Sequence, residues 1–214
     1  MLIPENEIPR IMKEHNIALK GILHIGAHKC EEMPIYENFG LSATDVVWID
    51  AIDTYVFLAK KRGIPHIYNA VITDKDDEVV TFNLSNNDAS SSILEMETHL
   101  IEHPHIYYVD KVEMNTVTID TFFKRNTLDP KKYNMCNIDI QGAELLALKG
   151  GVEYLAYVDL LYLEVNERHL YKGCALVGEI DTFLEAYGFK RILTKMTQYG
   201  WGDAIYIKSP KSKE

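Results

Sequence analysis

Residues 21–30, Gly-Ile-Leu-His-Ile-Gly-Ala-His-Lys-Cys, followed by Glu31 and Glu32, set an apolar strand directly against a small-residue turn. Ile22, Leu23 and Ile25 read as a buried strand, and Gly26 with Ala27 as a sharp turn. Residues 31–39 read as a helix whose Met33, Tyr36 and Phe39 share one face. Pro34 suits that helix only in its first turn, where a missing N–H costs no hydrogen bond. A strand entering a helix through a tight turn aims backbone N–H groups at a ligand, the geometry of nucleotide-binding α/β sheets. A second apolar run, Val46 to Ile49, ends in Asp50, at about the twenty-residue distance where such sheets place the acid that holds a ribose diol. One glycine falls short of a full glycine fingerprint. The bland alternative stays open: Gly26 makes only a tight turn and Asp50 caps the next helix.

The rest of the chain alternates strand and helix. Residues 1–20 form an amphipathic lead-in helix with Ile8, Ile11 and Met12 on one side. Thr54 caps a helix running to Lys61, with Tyr55, Leu58 and Ala59 inward and Gly63 closing it. Residues 66–72 read as a third strand and 74–77 as a turn, while 79–84 and 106–117 alternate as half-exposed strands. Residues 85–92, a polar stretch ending in three serines, read as a loop over a site. Thr118 starts a short helix with Ile119, Phe122 and Phe123. Residues 133–140 are a strand, 143–149 a helix closed by Gly150 and Gly151, and 158–165 an apolar strand of the parallel, buried type. Leu176, Ile180, Phe183, Leu184 and Tyr187 form a helical stripe before closing strands at 189–193 and 203–207. This order predicts an α/β fold with a mainly parallel sheet and helices on both faces. With no linker in 214 residues, one domain over 1–214 is expected.

A formal charge of −10, from 22 Lys and Arg against 32 Asp and Glu, argues against a broad phosphate-binding surface and against nucleic acid as a partner. Cys30, Cys136 and Cys174 are odd in number and lack C-x-x-C spacing, which fits a reducing compartment. No apolar stretch approaches a membrane span, and the first residues lack the pattern of a signal peptide. The expectation is a cytoplasmic protein without a membrane partner.

Ligands of open α/β sheets bind beyond the carboxyl ends of the strands. There the sequence places His24 to His28, Asp50, Asp139, and Glu164 with Asn166. A helix cap or surface ion pair accounts for one such residue, but poorly for residues from four strands at one edge.

These residues fall in blocks that resemble, in order, those of the FkbM-type methyltransferases, a family with members carried by large DNA viruses. The blocks are 24–28 (HIGAH), 48–51 (WIDA), 90–94 (SSSIL), 115–120 (NTVTID), 137–144 (NIDIQGAE) and 163–165 (LEV), with 200–206 resembling the last strand. The resemblance runs from about Gly21 to Lys208, and 137–144 is its most specific block. It implies a Rossmann-like class I methyltransferase fold with a seven-stranded, mostly parallel sheet. It also implies S-adenosylmethionine as cofactor and O-methylation of a carbohydrate or other small hydroxyl acceptor; for a viral member the compartment would be the host cytoplasm. By position, His24, Gly26 and Ala27 would lie against the methionine part of the cofactor, Asp50 and Ala51 at the ribose, and Ala70 and Val71 near the adenine. Ser90 to Ser92 would close over cofactor or acceptor, with Ser92 as a cofactor contact, and Asp139 and Glu144 would end the fourth strand and start its helix. The pattern typical of the first motif is D-x-G-A-N-x-G; here His24, His28 and Cys30 stand in place of Asp, Asn and Gly, and Gln141 replaces the commoner Glu. Glu31, Glu32 or Asp139 would then hold the cofactor's amino group.

Methyl transfer is an in-line displacement at a sulfonium carbon, so the acceptor hydroxyl must be positioned and its proton removed. Asp139 is the first candidate for general base and Glu164 the next; His28 is the rival, because imidazole titrates near neutrality. If a metal takes part, Asp139, Glu164 and Asn166 are oxygen donors of the kind Mg²⁺ uses. One reading from another class is a catalytically silent S-adenosylmethionine-binding module, motivated by the altered first motif. Another is a zinc hydrolase on His99-Leu-Ile-Glu-His103, an H-x-x-E-H pattern that Pro104 cuts short at once. The missing glycine fingerprint disfavours a nicotinamide oxidoreductase. Trp201, in a Gly-flanked loop, reads either as a sugar-stacking platform or as a core anchor.

Overall fold

The computed structural model describes residues 1–209, so the last five residues of the expected single domain lie outside the described residues. In chain order the elements are α1 (Glu7–Glu14), β1 (Ile22–Ile25), α2 (Met33–Asn38), β2 (Val46–Asp50), α3 (Asp53–Lys61), β3 (Ile67–Asn69), β4 (Val71–Ile72) and β5 (Val79–Ser85). They continue with α4 (His99–Glu102), β6 (Tyr108–Val117), α5 (Ile119–Arg125), β7 (Met135–Ile138), α6 (Glu144–Lys149), β8 (Leu160–Asn166), α7 (Val177–Glu185), β9 (Phe189–Met196) and β10 (Trp201–Lys208).

Seven strands form one sheet in the order β3-β2-β1-β7-β8-β10-β9, parallel except that β10 runs antiparallel to both β8 and β9. This is the Rossmann-like, mostly parallel architecture expected. β1, β7 and β8 are buried along their length because both faces of the sheet are covered. On one face Leu23, Ile25, Val47, Ile49, Ile138 and Leu163 pack against α5, α6 and α7. On the other, Ile22, Val46, Trp48, Met135 and Leu160 pack against α1, α2 and α3. Each fully buried Ile or Leu in these layers stabilises the fold by roughly 1.5–3 kcal/mol.

The register sets the site. Ile49, Ile25, Ile138 and Leu163 stand side by side across β2, β1, β7 and β8. The residue after each is therefore Asp50, Gly26, Asp139 and Glu164, and the row extends to Asn69 opposite Asp50 and Asp203 opposite Glu164. Six strands thus bring one residue each to a single line along the carboxyl edge of the parallel strands.

Several local readings change. Residues 66–72 are not one strand: β3 belongs to the main sheet, while β4 pairs with β6 in a second sheet of order β4-β6-β5. The break falls at Ala70, whose N–H donates to the Asp50 carbonyl at 3.1 Å and turns the chain towards the second sheet. Thr54 does not cap α3; Ile52 holds that position without a side-chain bond. Leu58 is 45% exposed and Val56 is buried in its place, since 100° per residue centres the inner face on Tyr55, Val56 and Ala59. Tyr187 lies past the end of α7 and is exposed. Thr118 caps α5 by accepting from Thr121 N–H, and Pro34 sits in the first turn of α2, both as read from the sequence. Among the described residues no helix is long and apolar enough to cross a membrane.

Candidate active site

A cavity of about 320 Å³ opens over the carboxyl edge, and Gly26, Asp50, Asp139, Glu164 and Asp203 of the aligned row all line it. Gly26 has φ +92°, and a Cβ there would lie 1.8 Å from the Asp139 carbonyl oxygen, so no side chain fits between β1 and β7 at this point. The N–H groups of Gly26 and Ala27 both donate to the Ile49 carbonyl, at 2.9 and 3.0 Å, folding the turn back onto β2. Beyond it, His28 and Cys30 adopt φ of +42° and +55°. These are the positions where Asn and Gly are typical, the residue types that adopt left-handed backbone most easily, so the loop keeps its shape with less favourable residues.

Asp50 fastens this loop. Its Oδ2 accepts from His28 N–H at 2.6 Å and its Oδ1 from Ile52 N–H at 2.7 Å. Burial pushes its carboxyl up to about 6, against the opposing pull of those two N–H groups. A carboxylate oxygen accepts more than one hydrogen bond, so Asp50 keeps acceptor capacity on the cavity side. Ile52, Ala70, Val71, Ile72 and Phe82 line the neighbouring wall, a largely apolar slot suited to a flat ring.

At the other end the acids crowd together. Asp139 is exposed on the cavity wall while Glu164 is 6% exposed. Burial first, then the Asp139 carboxylate hydrogen-bonded to it, push Glu164 well above the usual carboxylate range. The shift favours the protonated form of Glu164. Gln141 joins the pair: its Nε2 donates to Asp139 Oδ1 at 2.8 Å and to Glu164 Oε2 at 2.6 Å. Glu144, raised by burial, accepts from the N–H groups of Ile140 and Gly142 at 3.0 and 3.1 Å and pins the turn after β7. Asp203, also raised by burial, accepts from the Tyr162 hydroxyl and from Leu2 N–H.

One pleat below lie Trp48, His24, Asn137 and Tyr162, side by side on the same face. The His24 ring stacks on Trp48 at 4.7 Å, and burial lowers its pKa, which keeps the imidazole neutral. Asn137 Nδ2 donates to the Tyr36 hydroxyl at 2.9 Å, leaving the hydroxyl to donate to His24 Nδ1 at 3.0 Å. This layer, in which Trp48 Nε1 has no partner among the described residues, puts a neutral ring in place of the Asp of the typical first motif.

Of the residues singled out from the sequence, His24, Gly26, His28, Asp50, Ala51, Ala70, Val71, Asp139 and Glu164 line the cavity. Three do not. Ala27 is fully buried and contributes only backbone; Ser92 is buried, its Oγ donating to the Gln141 carbonyl at 2.8 Å, and Ser91 takes its place on the wall. Asn166 is buried away from the cavity wall with its Oδ1 unpaired among the described residues. The expected Mg²⁺ donor set is therefore not assembled, and no group of three or more His, Cys, Asp or Glu among the described residues is placed to hold a metal. His28 Nδ1 lies 2.9 Å from Glu31 Oε1. The sequence reading missed Phe82, Tyr162 and Asp203: β5 joins through the second sheet, and Tyr162 and Asp203 look like ordinary strand residues until β10 is paired with β8.

Away from the cavity, 99–103 forms a single helical turn in which the His99 and His103 rings stand 5.1 Å apart and Glu102 pairs with Arg168. Trp201 is absent from the cavity wall and packs on the small cluster of Met96, Leu170 and Tyr171, as a core anchor would.

Relatives were found in three comparisons. The 2-O-methyltransferase NoeI of Sinorhizobium fredii (strain NBRC 101917 / NGR234) is 25% identical over 114 residues, a match spanning 50% of this chain and 46% of that protein. Solved structures similar to this chain include magnesium protoporphyrin IX methyltransferase (ChlM) from Synechocystis PCC 6803 with bound SAM, at 11% identity and TM-score 0.47, covering 96% of this chain and 77% of that one. A SAM-dependent methyltransferase from Bacteroides fragilis in complex with S-adenosyl-L-homocysteine is similar at 10% identity and TM-score 0.44, covering 92% and 76%. The model of the methyltransferase FkbM domain matches residues 24–191, most of the chain and every strand of the aligned row except β10. By that match the chain belongs to the FkbM methyltransferase family.

Proposed function

We propose that this protein transfers the methyl group of S-adenosylmethionine to a hydroxyl oxygen of a sugar or similar small acceptor. The observation that carries the proposal is the aligned row: a glycine without room for a side chain, a carboxylate with spare acceptor capacity and a pair of facing acids border one cavity. The residues fit the cofactor. Gly26 gives close backbone access, Asp50 offers acceptors for a ribose diol, the slot around Ala70 and Phe82 takes a flat ring, and Glu31 and Glu32 offer negative charge to an amino group.

When bound, S-adenosylmethionine supplies an electrophilic methyl carbon on a positively charged sulfur. Asp139 stands exposed at the acid end and accepts the hydroxyl proton as the acceptor oxygen attacks. Glu164, whose protonated form burial favours, is hydrogen-bonded to Asp139 and orients that carboxylate, and Gln141 donates to both. Positioning supplies the rest, since a hydroxyl held in line reacts far faster than one in solution. Oxygen as the accepting atom is supported by the similarity to NoeI, a 2-O-methyltransferase.

The test is calorimetric titration with S-adenosylhomocysteine, followed by a sugar acceptor screen with labelled S-adenosylmethionine. Saturable binding that weakens in Asp50→Ala, with label recovered in an ether-linked methyl, supports the proposal. Binding without turnover of any acceptor would favour the silent module, and no binding at all would remove the cofactor assignment.

A further inference from the structure

We infer that Tyr171, on the loop after β8, is a positioning residue that orients the Asp139 carboxylate through the amide of Gln141. The inference rests on the reading that Asp139 accepts the hydroxyl proton. Tyr171 is 1% exposed, and its hydroxyl donates to Gln141 Oε1 at 2.7 Å. The other end of the same amide, Nε2, donates to Asp139 at 2.8 Å and Glu164 at 2.6 Å. Reversing the amide would set its oxygen against two carboxyl oxygens, so the acids fix which way the amide points and the hydroxyl holds its other end in place.

The surroundings hold Gln141 at its backbone carbonyl as well as at both ends of its side-chain amide. Its carbonyl accepts from Ser92 Oγ at 2.8 Å, and its backbone is left-handed, with φ +55°. Gly142 follows with φ +97°; a Cβ there would come within 2.9 Å of Cys174 Cβ and 3.2 Å of Tyr171 Cβ. The missing side chain therefore leaves the room in which Tyr171 seats against the turn. The Tyr171 ring lies 5.5 Å from the His99 ring, and its backbone bridges to Met96. Burial raises the phenol above its ordinary value, so the hydroxyl remains a donor. Without it, Gln141 Oε1 loses its protein donor, and the amide is freer to rotate away from the acids.

The test follows the Gln141 side-chain amide by ¹⁵N–¹H NMR in the full chain, assigned by its loss in Gln141→Leu. In the wild type its hydrogens are displaced from free-glutamine positions and exchange slowly. Tyr171→Phe keeps the ring and removes only the hydroxyl. It is expected to return the amide signals towards free positions and to speed their exchange by about tenfold, with S-adenosylhomocysteine affinity held within roughly twofold. With a working acceptor, kcat falls by about tenfold at unchanged acceptor KM. Amide signals unmoved in Tyr171→Phe overturn the inference, as does cofactor affinity falling in parallel with them, which marks a structural role. Should Tyr171→Phe not fold, the wild type decides: an NOE from the Tyr171 hydroxyl proton to the Gln141 amide supports the inference, and a hydroxyl exchanging at the free-tyrosine rate overturns it. Absent cofactor binding by the wild type would defeat methyl transfer itself, while the amide signals would still report whether Tyr171 holds Gln141.

Discussion

The Cα of Gly26 stands so near the carbonyl oxygen of Asp139 that an added Cβ would lie 1.8 Å from it. The turn after β1 and the end of β7 are therefore locked by the absence of a side chain, at a φ of +92° that also favours glycine. Replacing Gly26 with Ala must displace the backbone beside Asp139. The expected cost is about 3 kcal/mol, measured as a lowered urea midpoint. An unchanged midpoint would mean the two strands separate freely.

Asp50 links cofactor binding to pH. Its carboxyl titrates at about 6 in the folded chain, above the ordinary value near 4. The protonated form has fewer acceptor sites for a ribose diol, so S-adenosylhomocysteine affinity is expected to fall by about tenfold from pH 7.5 to pH 5. Calorimetry on Asp50→Asn should show weak binding with that dependence gone; an identical pH dependence in the variant would assign the effect elsewhere.

Glu164 shapes stability in the opposite pH range. Its folded pKa is raised, so the folded state holds a proton that the unfolded chain has released once pH exceeds the ordinary carboxylate range. That contribution is present at low pH and is lost as pH rises towards the folded value, at up to about 1.4 kcal/mol per pH unit. Glu164→Gln, neutral throughout, should flatten the decline of Tm between pH 5 and 8. Parallel Tm curves for the two proteins would show that Glu164 is ionised.

Asp139→Asn tests the base. The fold and the donor from Gln141 allow a neutral isostere, so S-adenosylhomocysteine affinity should change by no more than roughly twofold, while kcat falls by about 10²-fold or more. A nearly wild-type rate would move the role to His28.

The fold was largely legible in the sequence because hydrophobic period reports burial. Val46 to Asp50 and Val158 to Val165 read as buried parallel strands from the apolar runs 46–49 and 160–163, and both strands lie inside the sheet rather than at its edge. Where an element depended on a partner elsewhere, the reading failed. Residues 66–72 look continuous, yet the chain leaves one sheet for another at Ala70. The site divides in the same way: Asp50 and Asp139 end apolar strands and show themselves, whereas Asp203 opens an antiparallel strand and Tyr171 lies on a loop.

By itself the sequence determined the strand–turn–helix at Gly26, the acids that end the parallel strands and the alternation that builds an α/β sheet, since each follows from residue type and local period. Only the tertiary structure decided which of these residues meet. The register across six strands put Asn69, Asp50, Gly26, Asp139, Glu164 and Asp203 in one row, and burial there raised the Glu164 carboxyl beside Asp139. Both depend on distances between residues far apart in the chain and on the water that packing removes, neither of which a local pattern of side chains encodes.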